Sequence, residues 1–234
     1  MTHILQLDAS ARPGRSGTHE HGSHSRRLTH QFVSQWQAKR PTDTFSYRDL
    51  GATPPSFIDG KWIEAAFAPA ENQKAWMGEV LAESDQLIDE LIAADIIVIG
   101  APLYNFGMPA ALKAWVDQVV RIGRTVDFDP SNHDDPFIPR LADRLRQAVV
   151  LSSRGGGGFE PDGALAHMNH LEPSLKTALG FIGITTVHTI AIENQEAGGE
   201  TLAASIAEAE RKVSALVERL ASQLQVAHGQ AEMA

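Results

Sequence analysis

The run Asp95-Ile96-Ile97-Val98-Ile99-Gly100 constrains this chain more than any other segment. Its apolar residues do not alternate with polar ones, so it reads as a strand buried on both faces, as in a parallel sheet covered by helices. Directly after it comes Ala101-Pro102-Leu103-Tyr104-Asn105-Phe106. An open α/β sheet binds its ligands beyond the carboxyl ends of its strands, which is where this loop falls. The loop carries aromatic rings and an amide but no charge, cysteine or nucleophile. It suits a flat, largely uncharged ligand that brings its own chemistry.

The rest of the chain fits that frame. Five short runs read as strands: His3–Asp8, Thr44–Arg48, Asp95–Gly100, Ala148–Ser153 and Val187–Ile192. Between them the apolar positions fall at helical spacing. In Glu79–Ala94, Val80, Leu81, Leu87, Ile88, Leu91 and Ile92 share a face on which Ser84 must be tolerated. From Pro109, a residue suited to a first helical turn, Leu112, Trp115, Val116, Val119 and Ile122 line up, and Gly123 offers an exit. Further helices are expected over Pro173–Ile182 and Glu200–Leu224. Alternation of this kind gives parallel strands joined by right-handed crossovers. The fold class is α/β, a flavodoxin-like three-layer sandwich. Its five-stranded parallel sheet has the order 2-1-3-4-5, with helices on both faces and a ligand crevice beside strands one and three. Residues 1–225 are expected to form one domain and 226–234 a frayed tail. Arg12–Gly22, the Pro-rich Gly51–Ala75 and the Asp- and Pro-rich Asp127–Arg140 read as loops.

Composition narrows the function. With 234 residues the chain can build a stable core, and a net charge of −9 argues against nucleic acid or an anionic membrane as a partner. Cysteine is absent, which removes disulfides, thiolate catalysis, iron–sulfur clusters and cysteine zinc sites. No run approaches the roughly 18 apolar residues of a membrane span, and Met1–Ser10 does not read as a signal peptide. A soluble cytoplasmic protein is expected.

Three segments carry candidate chemistry. Asp8-Ala9-Ser10 ends the first strand and Ser23-His24-Ser25 opens the first helix, so serine hydroxyls stand near unpaired helix N–H groups. That is a phosphate site without a cation, although taken alone the segment reads first as an ordinary N-cap. Tyr104-Asn105-Phe106-Gly107 can present backbone amides and the Asn105 side chain to the polar edge of a heteroaromatic ring, or be a plain aromatic strand exit. After strand four, Ser152-Ser153-Arg154 leads into Gly155-Gly156-Gly157-Gly158, which allows close backbone approach or merely a flexible turn. In the expected strand order all three meet at one crevice. A phosphate end, a ring edge and a glycine-lined wall together match what FMN requires.

At this point the chain resembles the FMN-dependent NADH:azoreductase (quinone reductase) family of flavodoxin-like proteins. The resemblance spans most of the chain in register. It rests on Ser10, Ser23-His24-Ser25, Ser84-Asp85-Gln86-Leu87-Ile88-Asp89-Glu90-Leu91, Ala101-Pro102-Leu103-Tyr104-Asn105-Phe106, Leu112-Lys113, Ser153-Arg154-Gly155-Gly156 and Leu179-Gly180-Phe181-Ile182-Gly183-Ile184. It implies that Ser10, Ser23 and Ser25 hold the FMN phosphate, with His24 in the same loop. Leu103, Tyr104, Asn105 and Phe106 would line the flavin, and Ser153, Arg154, Gly155 and Gly156 would close its other side. It also implies a homodimer with the active site at the subunit interface, NADH or NADPH as donor, and quinone or azo acceptors. Tyr104 and Asn105 are the flavin-positioning residues, and no obligatory general acid is named.

The chain departs from the family pattern in two places. The loop from Ser10 to Ser23 is longer, with extra Gly, Arg and His residues. After Arg124 the sequence reads Thr125-Val126-Asp127-Phe128, where relatives place an aromatic directly after the threonine. Nicotinamide preference would turn on Arg12, Arg15, Arg26 or Arg154. Metal sites at His19, His21, His24, His30 and Glu20, or along Asp127–Asp135, are set aside because no ligand spacing matches. Trp62 and Trp76 are expected to meet a dimer partner or roof the flavin. Two rival readings remain: a flavodoxin-type electron carrier with no NAD(P)H activity of its own, and a non-enzymatic flavin-binding regulatory module.

Overall fold

A computed structural model describes the backbone of residues 1–231 and the side chains of residues 1–224 except Ala70, so the fraying expected for 226–234 lies outside the fully described residues. Its elements in chain order are β1 (His3–Asp8), α1 (His24–Lys39), β2 (Thr44–Asp49), α2 (Gly60–Ala66), α3 (Ala75–Ala93), β3 (Ile96–Pro102), α4 (Ala110–Val119), β4 (Val126–Phe128), β5 (Phe137–Pro139), β6 (Gln147–Ser153), α5 (Glu172–Phe181), β7 (Thr186–Ile192) and α6 (Gly199–Ala231).

Five of these strands pair in parallel in the order β2-β1-β3-β6-β7, which is the expected 2-1-3-4-5 when the sheet's own strands alone are numbered. β3 and β6 are buried at every position, and this explains the unbroken apolar run of β3 and the apolar stretch Ala148–Leu151 within β6. Side-chain alternation along β3 separates two cores. Ile97 and Ile99 pack with Leu87 and Leu91 of α3, Trp115 of α4 and Leu175 of α5. Ile96 and Val98 face the other way, onto Leu28, Phe32 and Trp36 of α1 and Val213 and Val217 of α6. Ser84 is tolerated in the first core because its hydroxyl donates to the Gln118 carbonyl at 2.6 Å.

The structure corrects several expected boundaries. Asp127–Arg140 is not simply a loop: β4 and β5 pair antiparallel within it, with Phe128 opposite Phe137. Gly51–Ala75 contains α2, capped by the Asp59 side chain, which accepts the Trp62 N–H at 2.8 Å. Pro109 is the residue before the first turn of α4, and that helix stops at Val119, well before Gly123. Gly123 instead takes φ +79° in the turn into β4, a conformation glycine adopts without steric cost. Among the described residues no helix is long and apolar enough to cross a membrane.

Candidate flavin site

The register places the three candidate loops side by side. Asp8 pairs with Gly100, and Pro102 pairs with Ser153, so Ser10, Leu103 and Arg154 emerge from adjacent strands at the same edge of the sheet.

At the first loop Ser23 is the N-cap of α1. Its hydroxyl accepts the Arg26 N–H at 3.3 Å and lies 3.0 Å from the Ser25 hydroxyl. The Ser23 carbonyl accepts the Arg27 N–H, leaving the first-turn N–H groups of His24 and Ser25 for a ligand. Ser10, Ser23 and Ser25 are all buried. Capping does not exclude anion binding here, since the same helix end can serve both. The additional residues of Arg12–Gly22 fold back on this end. Ser16 N–H donates to the Ser23 carbonyl and Ser23 N–H to the Gly14 carbonyl, both at 3.1 Å. The Ser16 hydroxyl meets His24 Nδ1 at 2.8 Å. Burial, reinforced by the cations Arg27 and Arg12, holds the His24 imidazole below its usual pKa.

The second loop is a tight turn. Tyr104 and Gly107 exchange backbone hydrogen bonds at 3.0 and 2.9 Å. The two residues between them both have positive φ, Asn105 at +46° and Phe106 at +69°. A left-handed phenylalanine is costly, and such strain persists only where the surroundings enforce it. Leu103 N–H donates to the Ser153 carbonyl and His170 N–H to the Phe106 carbonyl, both at 2.8 Å. The Phe106 ring packs against Phe159 with centroids 6.4 Å apart. Tyr104 and Phe106 nevertheless remain 37% and 45% exposed, so the fold itself does not cover this aromatic edge.

The third loop is held from behind. Glu196 N–H and Asn194 N–H donate to the carbonyls of Gly155 and Gly156. A Cβ on Gly155 would come within 2.7 Å of Glu196 Oε1, and one on Gly157 within 2.7 Å of Asn194 Oδ1. The wall is thus tied down by these backbone hydrogen bonds, with the Glu196 and Asn194 side chains lying close over Gly155 and Gly157. The Arg154 guanidinium is buried, and it pairs with Glu172 at 2.7 Å, Glu193 at 2.9 Å and Glu160 at 3.2 Å. It braces the loop from within; what faces the crevice is the backbone.

The arrangement fits a phosphorylated flat ring. A hydroxyl-lined helix end lies beside a strained turn with exposed aromatics, and a wall without side chains stands opposite. Sequence comparison now decides the family. Residues 2–217 match the family model described as flavodoxin-like fold. An FMN-dependent NADH:quinone oxidoreductase of Idiomarina loihiensis is 40% identical over 220 residues, 94% of this chain and 91% of the relative. An FMN-dependent NAD(P)H:quinone oxidoreductase of Pseudomonas aeruginosa is 41% identical over 217 residues, 92% of this chain and 98% of the relative.

This chain belongs to the FMN-dependent NADH:quinone oxidoreductase family.

The family fold is equally clear in solved structures. An azoreductase of Bacillus anthracis superimposes with a TM-score of 0.80 at 22% identity, covering 94% of this chain and all of that one. Trp62 of this family member is buried, with its Nε1–H donating to Gln118 Oε1 at 2.9 Å, and the partly buried Trp76 packs with it against Ala65, Met77 and Leu81. Both lie where α2 meets α3. Sequence reading raised Arg26 only as a cation for the nicotinamide ribose, and it missed Asp49, Gly51, Glu172, Phe159 and His170; together these hold the three loops in place. Asp49-Leu50-Gly51 at the end of β2 was the available signal, an acid and a glycine leaving the sheet beside Ser10.

Proposed function

We propose that this chain is an FMN-dependent NAD(P)H oxidoreductase that reduces quinones and azo compounds as a homodimer. When bound, FMN supplies two-electron chemistry, accepting a hydride equivalent from NADH or NADPH and delivering both electrons to an acceptor. The observation that carries this reading is the strained Asn105–Phe106 turn, flanked on neighbouring strands by the serine-lined helix end and the glycine wall.

Each part of the chain has its own task. Ser10, Ser23 and Ser25, together with the first N–H groups of α1, would hold the phosphate, with His24 beside it. The backbone of Leu103–Phe106 hydrogen-bonds the polar ring edge, and the Asn105 amide fixes the ring's rotation. Ser153, Gly155 and Gly156 close the other side, braced by Arg154. The exposed rings of Tyr104 and Phe106 complete an apolar slot that excludes water and receives planar, electron-poor acceptors. One slot serves both donor and acceptor, so the oxidised nicotinamide leaves before the acceptor enters, which is a ping-pong order. The uncovered aromatics at the mouth leave room for a second subunit to finish the slot.

Steady NADH oxidation with menadione as acceptor tests the reading. Parallel lines in double-reciprocal plots at several menadione concentrations are expected. Bound FMN with no NADH or NADPH consumption would point to an electron carrier instead.

A further inference from the structure

Beneath the phosphate end lies a charged group that touches no ligand-facing surface of its own. Arg26 is in the first turn of α1, and its side chain is only 7% exposed. Nη2 donates to the Ser10 carbonyl at 2.9 Å, and the guanidinium forks onto Asp49 with bonds of 2.8 and 2.5 Å. Nη1 also reaches the Tyr47 hydroxyl at 3.1 Å, with Asp8 at 3.9 Å. The backbone N–H of the same residue binds the Ser23 hydroxyl. Arg26 therefore grips both halves of the serine loop, Ser10 by its side chain and Ser23 by its main chain.

The far side of Ser10 is fixed as well. Gly51, just past β2, donates its N–H to the Asp8 carbonyl at 3.0 Å. A Cβ there would stand 2.1 Å from the Ser10 carbonyl oxygen. Ser10 is pinned between a guanidinium and a glycine, both anchored at the end of β2.

We propose that Arg26, oriented by Asp49, is a positioning residue that sets the Ser10 loop for a phosphate monoester and so makes the chain select FMN over riboflavin. The charge arithmetic separates this from direct ion pairing. One guanidinium faces two carboxylates, Asp49 and Asp8, so no net positive charge is left for a phosphate dianion. The planar fork matters because it holds Asp49 and the Ser10 carbonyl simultaneously, which a lysine cannot do.

This inference rests on the flavin reading above, and the experiment separates the two. Full-length chain freed of flavin is titrated with FMN and with riboflavin by fluorescence quenching, for wild type, Asp49→Asn and Arg26→Lys. Thermal unfolding shows that each variant is folded. Losing a charge-assisted hydrogen bond predicts FMN affinity weakened about tenfold in both variants. Riboflavin affinity should stay within about twofold, because no phosphate is present to report the loop. If Arg26 instead acted by its charge, Asp49→Asn would free it and tighten FMN, and Arg26→Lys would be silent. Either of those results, or an unchanged FMN-to-riboflavin ratio, overturns the proposal while the flavin reading stands. A wild-type chain that binds neither flavin overturns both.

Discussion

Arg154 Nη2 donates to Glu172 Oε1 at 2.7 Å with both side chains almost wholly removed from solvent. The pair joins the end of β6 to the start of α5, and Glu172 also accepts the Ser152 hydroxyl at 2.7 Å. Asn169 extends the link by donating to the Phe159 carbonyl at 3.1 Å, and His170 holds Phe106. The glycine wall and the strained turn are thus parts of one polar scaffold. Burial would raise the Glu172 carboxyl, but the Arg154 guanidinium and the Ser152 hydroxyl outweigh it and hold it below its usual range.

Breaking that pair should be costly because it removes the most deeply buried of the three carboxylates around Arg154, leaving Glu193 and Glu160 to hold the cation. Glu172→Gln is expected to lose about 2 kcal/mol of stability in urea unfolding. Arg154→Met combined with Glu172→Leu should lose less than the two single changes added together. Unchanged stability in Glu172→Gln would remove the pair from the scaffold.

The Asn105 backbone predicts a trade of stability against activity. At φ +46°, glycine relieves part of a left-handed penalty of about 1 kcal/mol. Asn105→Gly should therefore raise the unfolding midpoint slightly while turnover with NADH and menadione falls, through loss of the amide. Asn105→Ala should lower turnover more than flavin occupancy. A destabilised glycine variant would mean that the turn holds no strain, and unchanged turnover in either variant would take Asn105 out of the mechanism.

The strands and the loops they deliver were legible because burial on both faces leaves an unmistakable pattern. Once Ile96–Ile99 is a central strand, the positions of Ser10, Leu103–Phe106 and Ser153–Gly156 follow from the strand order. What holds those loops was not legible. Arg26 meets a carboxylate 23 residues away and Arg154 one 18 residues away, and no local period announces such pairs. The resemblance placed Arg154 against the flavin, but a guanidinium surrounded by Glu172, Glu193 and Glu160 turns inward. β4 and β5 are three residues each, too short to show alternation among the Asp and Pro around them. The bond from Trp62 to Gln118 was hidden as the arginine pairs were, since its partner lies 56 residues on.

His24 makes the apo chain sensitive to acid. Its folded pKa lies below the usual 6.5, so the unfolded chain takes up the proton first as pH falls. Its stabilising contribution is complete above about pH 6.5 and is lost as pH drops from there toward the folded value. His30 and His188 are shifted the same way, so the expected effect of His24→Gln is a shallower decline and not its abolition. Melting temperatures of both proteins across that window check this; identical slopes would contradict it.

Gly100 sits where β3 passes beneath the serine loop. A Cβ there would come 2.4 Å from Asp8 Oδ1 and 2.7 Å from Thr29 Cγ2, two side chains already hydrogen-bonded at 2.8 Å. Gly100→Ala should cost about 2 kcal/mol through this overpacking, measured by urea unfolding. A neutral substitution would mean that α1 can lift away from the sheet at no cost.

The central claim is that the crevice binds FMN and passes electrons between two substrates. Its most direct test is the visible spectrum of the purified protein, followed by anaerobic addition of NADH and then a quinone. A flavin spectrum that bleaches with NADH and returns with the quinone is the predicted result. No flavin even after FMN is supplied, or a bound flavin that ignores both nicotinamides, would contradict it.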